Sequence, residues 1–232
     1  LDRRPVAGIG HVLARHRPGG QVEPVAALAR ADEAVCRDDV EVTVEVVSDR
    51  GRTLLTVPHR DLWKGGTRII KKYLEAKKNE NYGIVIRNMT PERIGVVVAV
   101  DGRNIISGKK SDLKPTENMY IVNVNETGRY EGWRTDQDTV HRFYFTEPDD
   151  SYSSRTFNDT SAMGVIAVAV YREKVQMPLI EEKVKRESAP AAPSAAGAGQ
   201  AKSFAPRDES AGTGFGEGQY SPTVRVAFDP EH

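Results

Sequence analysis

The chain has 232 residues, enough for one large or two modest domains, and its 33 basic and 33 acidic residues cancel. A chain without net charge has no overall field that attracts nucleic acid or an anionic membrane, so the composition predicts no nucleic-acid partner. The single cysteine excludes an intrachain disulfide, and no run approaches the roughly 20 apolar residues of a membrane span.

The first 38 residues have the composition of an extended N-terminal arm. Proline and glycine interrupt the arm repeatedly, and its one helical pattern is "PVAALARADEAV" (24–35), with proline at the first position. The chain starts with leucine rather than methionine, so we expect that a signal peptide or other residues were removed. Nothing near the start has the apolar core of a secretory signal.

Residues 39–178 have the pattern of an all-β domain. "VEVTVEVVS" (40–48) alternates valine with glutamate or threonine, which is typical of a half-buried strand. "TLLTVP" (53–58) follows a "DRG" turn and is interpreted as the hairpin partner of the strand at 40–48. Seven further strands are predicted at 69–76, 82–88, 94–101, 119–125, 129–133, 140–146 and 163–173. This number of short strands favours an antiparallel β-sandwich, of the jelly-roll or immunoglobulin-like kind.

The C-terminal part divides into a linker and a last strand. Residues 179–222 start with a short charged segment, "LIEEKVKRE", with helical spacing of opposite charges, and continue as a linker rich in alanine, glycine, serine and proline. Residues 223–232 contain "TVRVAF", which alternates with period 2 and is predicted to be a strand. Because an isolated strand is not stable, this strand must add to a sheet, of its own chain or of another.

Two of the predicted strands are apolar on both faces. In 95–100 the bulky face is valine, and the smaller face carries Val97 and Ala99. In 164–170 the smaller face carries Val165, Ala167 and Ala169. Three interpretations remain open: the chain's own termini cover these faces, the residues are exposed, or a neighbouring subunit covers them. In the last interpretation, the covering strand is the segment 223–228 of a neighbouring copy, and its Val224, Val226 and Phe228 contact the apolar faces.

The turn "DGRN" (101–104) follows the most apolar strand and is the first candidate for a functional site. Asp-Gly after a strand is a strong hairpin signal, because glycine accepts positive φ and aspartate tolerates it. The alternating oxygen ligands of a calcium loop are missing. The turn is therefore interpreted as a structural corner.

The remaining chemical motifs are weak. Carboxylates in "EPDDS" (147–151), with Asp159, fit a solvated turn, a calcium site or a glycosidase pair. The five histidines have no zinc spacing, and "GTGFGE" (212–217) is interpreted as linker rather than as a nucleotide loop. Tyr130 and Trp133, in "RYEGWRT", are interpreted as core residues, or alternatively as a stacking platform for a partner or a sugar ring. The sequence predicts no catalytic residues, no cofactor and no metal.

The segments "RIGVVVAVDGRNIISGKKSD", "YEGWRT", "HRFYFT" and "SAMGVIAVAVYRE", in this order, resemble a widespread bacterial family of uncharacterised β-rich proteins. The closing "GTGFGE" and "SPTVRVAF" fit the same pattern. The resemblance implies a bacterial origin and a β-rich domain, and it brings no site residue with it.

The leading hypothesis is a non-enzymatic structural subunit that self-assembles into a homopolymer, in a bacterial surface or extracellular filament, by β-strand addition through its terminal arms. The expected partner is a second copy of the chain, and the expected location is extracellular or at the cell surface, with the cytoplasm as the alternative. Two other hypotheses are a carbohydrate- or ligand-binding β-sandwich module and, third, a hydrolase.

Overall fold

The computed structural model describes residues 42–64, 67–174 and 211–231, together with the backbone of two N-terminal strands at 7–13 and 25–26. Within these residues the protein is all-β, as the sequence predicts. The strands in chain order are β1 Ala7–Leu13, β2 Val25–Ala26, β3 Val42–Ser48, β4 Thr56–Lys64, β5 Thr67–Leu74, β6 Asn81–Asn88, β7 Ile94–Val100, β8 Arg103–Asn104, β9 Tyr120–Val122, β10 Thr127–Tyr130, β11 Gly132–Arg134, β12 Thr139–Thr146, β13 Val165–Arg172 and β14 Gly212–Tyr220. A 3-10 turn at Pro148–Asp150 leads into a short helix, α1, at Tyr152–Phe157.

The strands form two sheets. Sheet A has eight strands in the order β4-β5-β2-β1-β13-β7-β8, with β9 also paired to β7. Sheet B has six strands in the order β10-β6-β12-β11, with β14 paired to β12 and β3 paired to β6. Among the described strands every pairing is antiparallel except that of β1 with β5, which is parallel.

One cluster of buried side chains draws on both sheets. Val46, Ile84 and Phe143 come from sheet B, and Val98 and Val168 come from sheet A. Because successive side chains of a strand point to opposite faces, the alternation read in the sequence places these residues on the inner faces. Val98 lies opposite Val168 in the β7–β13 pair, so the two most apolar strands are neighbours in the interior of sheet A.

The segment that follows β3 differs from the predicted hairpin. Thr53 forms a single bridge with Val47, and the Leu54 N–H donates to the Val46 carbonyl at 2.8 Å. The chain then leaves sheet B and enters sheet A as β4, so most of β4 lies beyond the predicted strand at 53–58.

The helical pattern at 24–35 is also contradicted at its start, where β2 is a strand paired with β5. The rest of that pattern, and the charged segment at 179–187, lie outside the described residues.

The C-terminal strand lies earlier in the chain than predicted. Residues 223–228 form no strand, whereas "GTGFGEGQY", interpreted from its composition as linker, is β14 and pairs with the whole length of β12. The reason is a contact distant in sequence. Glycines alternate with larger residues along β14, and a Cβ atom on Gly214 would overlap the ring of Tyr144, which lies across this face of the strand. The glycines therefore serve close packing rather than flexibility.

Candidate functional site

The "DGRN" turn is a junction of three strands. Asp101 and Gly102 have positive φ values of 46° and 75° and connect β7 to β8 in a two-residue hairpin, so the predicted corner is confirmed. The carboxylate of Asp101 accepts a hydrogen bond from the Gly164 N–H at 2.8 Å, just before β13, and another from the Thr213 N–H at 2.7 Å, in β14. The Asp101 N–H donates to the Val165 carbonyl at 2.8 Å. One side chain thus ties sheet A to sheet B.

Burial dominates the electrostatics of this junction. Asp101 is buried, and burial raises the pKa of its carboxyl to about 7, although the hydrogen bonds from Thr213 and Gly164 lower it. Asp101 also raises the pKa of the buried Tyr82 hydroxyl, after the larger effect of burial itself. That hydroxyl lies 2.8 Å from the Thr213 hydroxyl. Each carboxylate oxygen of Asp101 accepts a hydrogen bond from one backbone N–H group, of Gly164 or of Thr213, so the carboxylate is used for hydrogen bonds within the chain.

The other two residues of the turn organise its surroundings. The Asn104 side chain accepts hydrogen bonds from the N–H groups of Ile106 and Ser107 and donates to the Asn118 carbonyl at 2.8 Å. The Arg103 guanidinium lies 3.9 Å from the centre of the Phe157 ring. Each contact holds a neighbouring loop or helix against the hairpin.

Asp159 is committed to ion pairs and hydrogen bonds. Its carboxylate pairs with Arg103 and Lys110, both at 3.1 Å, and accepts a hydrogen bond from the Ser161 hydroxyl at 2.6 Å. The Ser161 hydrogen bond is the largest of the effects that lower the pKa of Asp159 to about 2. A carboxyl with so low a pKa is a poor proton donor near neutral pH, so the structure gives Asp159 no feature of a glycosidase acid. Among the described residues, no group of three histidine, cysteine or acidic side chains is arranged to hold a metal ion.

Trp133 is not available as a ligand platform. It is 2% exposed, its indole N–H donates to the Gly214 carbonyl at 3.1 Å, and its ring packs against Phe143 and Tyr152. Tyr130 is half-buried and packs against Tyr120, with 4.4 Å between the ring centres and the rings tilted by 31°. The core interpretation of Trp133 is therefore correct. Two aromatic residues beside a glycine gave no sequence signal of how deeply each of them is buried.

The small faces of β7 and β13 are covered within the single chain. Val97, Ala99, Ala167 and Ala169 are buried, and Val165 is half-buried. A partner subunit would therefore have to displace other parts of the chain before it could contact the four buried residues.

The C-terminal segment contributes to this cover. Phe228 is half-buried, and its ring lies against the backbone of Gly95, where an added Cβ would come within 2.7 Å. By the alternation of β7, Gly95 shares the face of Val97 and Ala99. Val224 and Val226 are 86% and 53% exposed. The predicted strand 223–228 is thus a strap on its own chain.

Hydrogen bonds hold this strap at both ends. At its start the Thr223 N–H donates to the Gln137 carbonyl at 2.9 Å, and the Arg134 guanidinium donates to the Ser221 carbonyl at 2.9 Å. At its end the Lys174 N–H donates to the Asp229 carbonyl at 2.8 Å. The strap therefore runs from the β11–β12 turn of sheet B to the end of β13 in sheet A.

Strand β1, which the sequence reading missed, occupies a central position. It pairs antiparallel with β13, from Ile9 opposite Ala169 to Val12 opposite Ile166, and parallel with β5 along its whole length. "AGIGHVL" does alternate apolar residues with small or polar ones, which is a weak strand signal. The prolines and glycines around it concealed this signal.

No model of a protein family, no curated protein and no solved structure matches this chain. No helix in the described ranges is long and apolar enough to cross a membrane.

Proposed function

We propose that this protein is a non-enzymatic structural subunit, a β-sandwich that assembles with copies of itself by exchange of its N-terminal strands. One observation carries the proposal: β1 lies between β13 and β5 and pairs with both. Without β1, sheet A would have two unpaired edges in its middle, each able to accept a strand from another chain.

The connection to β1 is long enough for exchange. β2 pairs with both β1 and β5, so the exchanged unit comprises both strands. Residues 27–41 then connect this unit to β3, and fifteen residues span at most about 50 Å. A domain of the size of residues 42–231 has a radius of gyration of about 16 Å. The connection therefore reaches a neighbouring subunit without any rearrangement of the two sheets.

Strand exchange accounts for an architecture in which the N-terminal segment completes a sheet formed by residues far along the chain. Each subunit accepts β1 from one neighbour and donates its own to the next, which generates a polymer. A bacterial surface or extracellular filament is the assembly that we propose for it. Residues 211–231, in contrast, pack on their own chain, so the segment 223–228 is no longer the candidate donor.

Cysteine pairs across the β1–β13 register test the proposal. In a Cys36→Ser background, which removes the native thiol, Gly10→Cys is combined with Val168→Cys, and His11→Cys with Ala167→Cys. Two adjacent pairs are used because only alternate antiparallel pairs bring their Cα atoms to about 4.5 Å. Oxidation of the double variants is expected to produce a ladder of disulfide-linked chains, and a mixture of the two single variants is expected to produce a linked dimer.

The control pair is Thr43→Cys with Arg87→Cys, opposite each other in β3 and β6, where only an intrachain disulfide is expected. Exclusively intrachain disulfides in the β1–β13 variants at every protein concentration, with no dimer in the mixture, would show that β1 stays on its own chain and would refute the proposal.

A further inference from the structure

One part of this neutral chain is strongly basic. Residues 50–78, which contain β4 and β5, carry nine lysines and arginines against two acidic residues, so the remainder of the chain is correspondingly acidic. We call this part the basic hairpin. β4 is the edge strand of sheet A, which places the hairpin at the periphery of the molecule.

The basic hairpin also exposes large apolar side chains. Leu55 is 84% exposed, Val57 is 46% exposed and Trp63 is 62% exposed. Arg60 and Lys64, on the same strand, are exposed as well. Exposed apolar groups beside cations at the edge of a sheet are the composition of a contact surface rather than of a solvated strand.

The register of the hairpin places apolar and basic groups on one face. Val57 lies opposite Tyr73, Leu62 opposite Ile69 and Arg60 opposite Lys71. A bulge between Pro58 and Arg60 leaves His59 without an opposite residue in the strand register, and it brings Arg60, Leu62 and Lys64 to the face of Val57. Trp63 points to the opposite face at the end of the strand.

We propose that the basic hairpin binds the surface of a membrane that contains anionic lipids. The exposed Arg60 and Lys64 side chains would reach the lipid phosphates. Because β4 is an edge strand, both of its faces can meet a membrane that approaches this edge, so Trp63 on one face and the aliphatic Leu55 and Val57 would enter the boundary between headgroups and acyl chains, where tryptophan is favoured. A nucleic acid would satisfy the cations equally well. It would leave the exposed Leu55 and Val57 without a role, and for this reason the structure favours a lipid surface.

Vesicle binding by the full-length chain tests the proposal. The chain is mixed with vesicles of phosphatidylcholine, with or without phosphatidylglycerol, and binding is measured by co-sedimentation and tryptophan fluorescence. The chain has two tryptophans, and Trp133 is buried, so a shift of the emission to shorter wavelength reports on Trp63. We expect binding and a shift only with phosphatidylglycerol, and loss of both when salt rises from about 0.1 M to about 1 M, because the screening length falls from about 10 Å to about 3 Å.

A pair of charge variants locates the binding surface. Each lysine or arginine near an anionic membrane contributes about fivefold to binding, so Arg60→Gln with Lys64→Gln is expected to bind about 25-fold more weakly. Both side chains are exposed, and an unchanged urea unfolding midpoint would show that the variant is folded. The matched control is Lys109→Gln with Lys114→Gln, which removes the same charge from an exposed loop elsewhere.

Three outcomes would overturn the proposal. The first is equal binding to vesicles with and without phosphatidylglycerol, or binding to neither. The second is equal weakening by the control variant. The third is tighter binding to a single-stranded oligonucleotide than to the anionic vesicles, with a change in Trp63 fluorescence, which would assign the hairpin to nucleic acid.

Discussion

The carboxylate of Asp101 accepts a hydrogen bond from the backbone N–H of Thr213, 112 residues further along the chain, at 2.7 Å. This contact joins the β7–β8 hairpin of sheet A to the first residues of β14 in sheet B. The second carboxylate oxygen accepts the Gly164 N–H, so the same side chain also positions the start of β13. Asp101 therefore links sheet A, the start of β13 and strand β14 through a single side chain.

Replacement of Asp101 by alanine should strongly destabilise the fold. The variant leaves the N–H groups of Gly164 and Thr213 without acceptors, and a buried donor without a partner costs about 1–3 kcal/mol. Asp101→Asn keeps one acceptor oxygen and should lose about half as much. Urea unfolding followed by circular dichroism gives both values. Asp149→Ala, an exposed carboxylate, is the control, and a similar effect of all three changes would contradict the role of Asp101.

The raised pKa of Asp101 predicts a pH dependence of stability. Between pH 3.8 and about 7 the folded chain retains a proton on Asp101 that the unfolded chain has released. The free energy of unfolding should therefore fall as the pH rises through this window, by at most about 1.4 kcal/mol per pH unit, and then level off. In Asp101→Asn this component is absent.

A comparison of the wild type with Asp101→Asn isolates the effect of the Asp101 carboxyl on the pH dependence of stability. Urea unfolding of wild type and Asp101→Asn is measured at several pH values, and the difference in unfolding free energy should change across the window. Asp159, with its pKa lowered to about 2, loses its stabilising contribution only as the pH falls below 3.8, outside the window. Parallel curves for the two proteins would show that the Asp101 pKa is not raised.

Gly214 should not tolerate a side chain, whereas Gly218 should. A Cβ at Gly214 overlaps the Tyr144 ring, while the nearest atom to a Cβ at Gly218 is 3.7 Å away. Gly214→Ala should therefore destabilise the protein by about 1–3 kcal/mol, and Gly218→Ala, which lies beyond the β14 bulge and on the opposite face, by much less. Thermal unfolding compares the two variants.

A double variant checks the cause. If the Tyr144 ring is the obstacle, Gly214→Ala should cost less in a Tyr144→Ala background than in the wild type, which a double-mutant cycle measures as a coupling energy. Strictly additive effects would place the strain elsewhere.

Removal of β14 should unfold the individual chain, and not merely separate it from other copies. A chain that ends at Glu187 lacks the Thr213 partner of Asp101 and the Gly214 partner of Trp133, so the Trp133 emission should shift to longer wavelength and cooperative unfolding should disappear. A chain that ends at Tyr220 keeps both contacts and loses only the strap, and it should remain folded with a lower unfolding midpoint. Cooperative unfolding of the shorter chain, with unchanged emission, would contradict the role of β14.

Local patterns predicted much of this structure because their causes are local. The alternation in β3, β6, β7, β12 and β13 follows from the two faces of a strand, and Asp101-Gly102 follows from the backbone freedom that a two-residue hairpin requires. These features need no knowledge of which strands become neighbours, and the sequence predicted them with nearly correct bounds.

Three features required the neighbours to be known. Trp133 is buried because β14 and α1 pack against its ring. The strand character of 212–220 depends on Tyr144, which packs across its glycines. The net charge of the whole chain is zero and so does not reveal the basic hairpin. That its strand β4 lies at the edge of sheet A is known only from the tertiary structure.

By itself, the sequence determined the all-β class, the central apolar strands and the corner at Asp101, because hydrophobic periodicity and turn chemistry act between residues close along the chain. The tertiary structure decided which terminal segment completes which sheet. β14 joins sheet B, β1 enters the middle of sheet A, and 223–228 lies as a strap across both. Pairings between strands that lie far apart along the chain depend on packing and hydrogen bonds that no local pattern encodes.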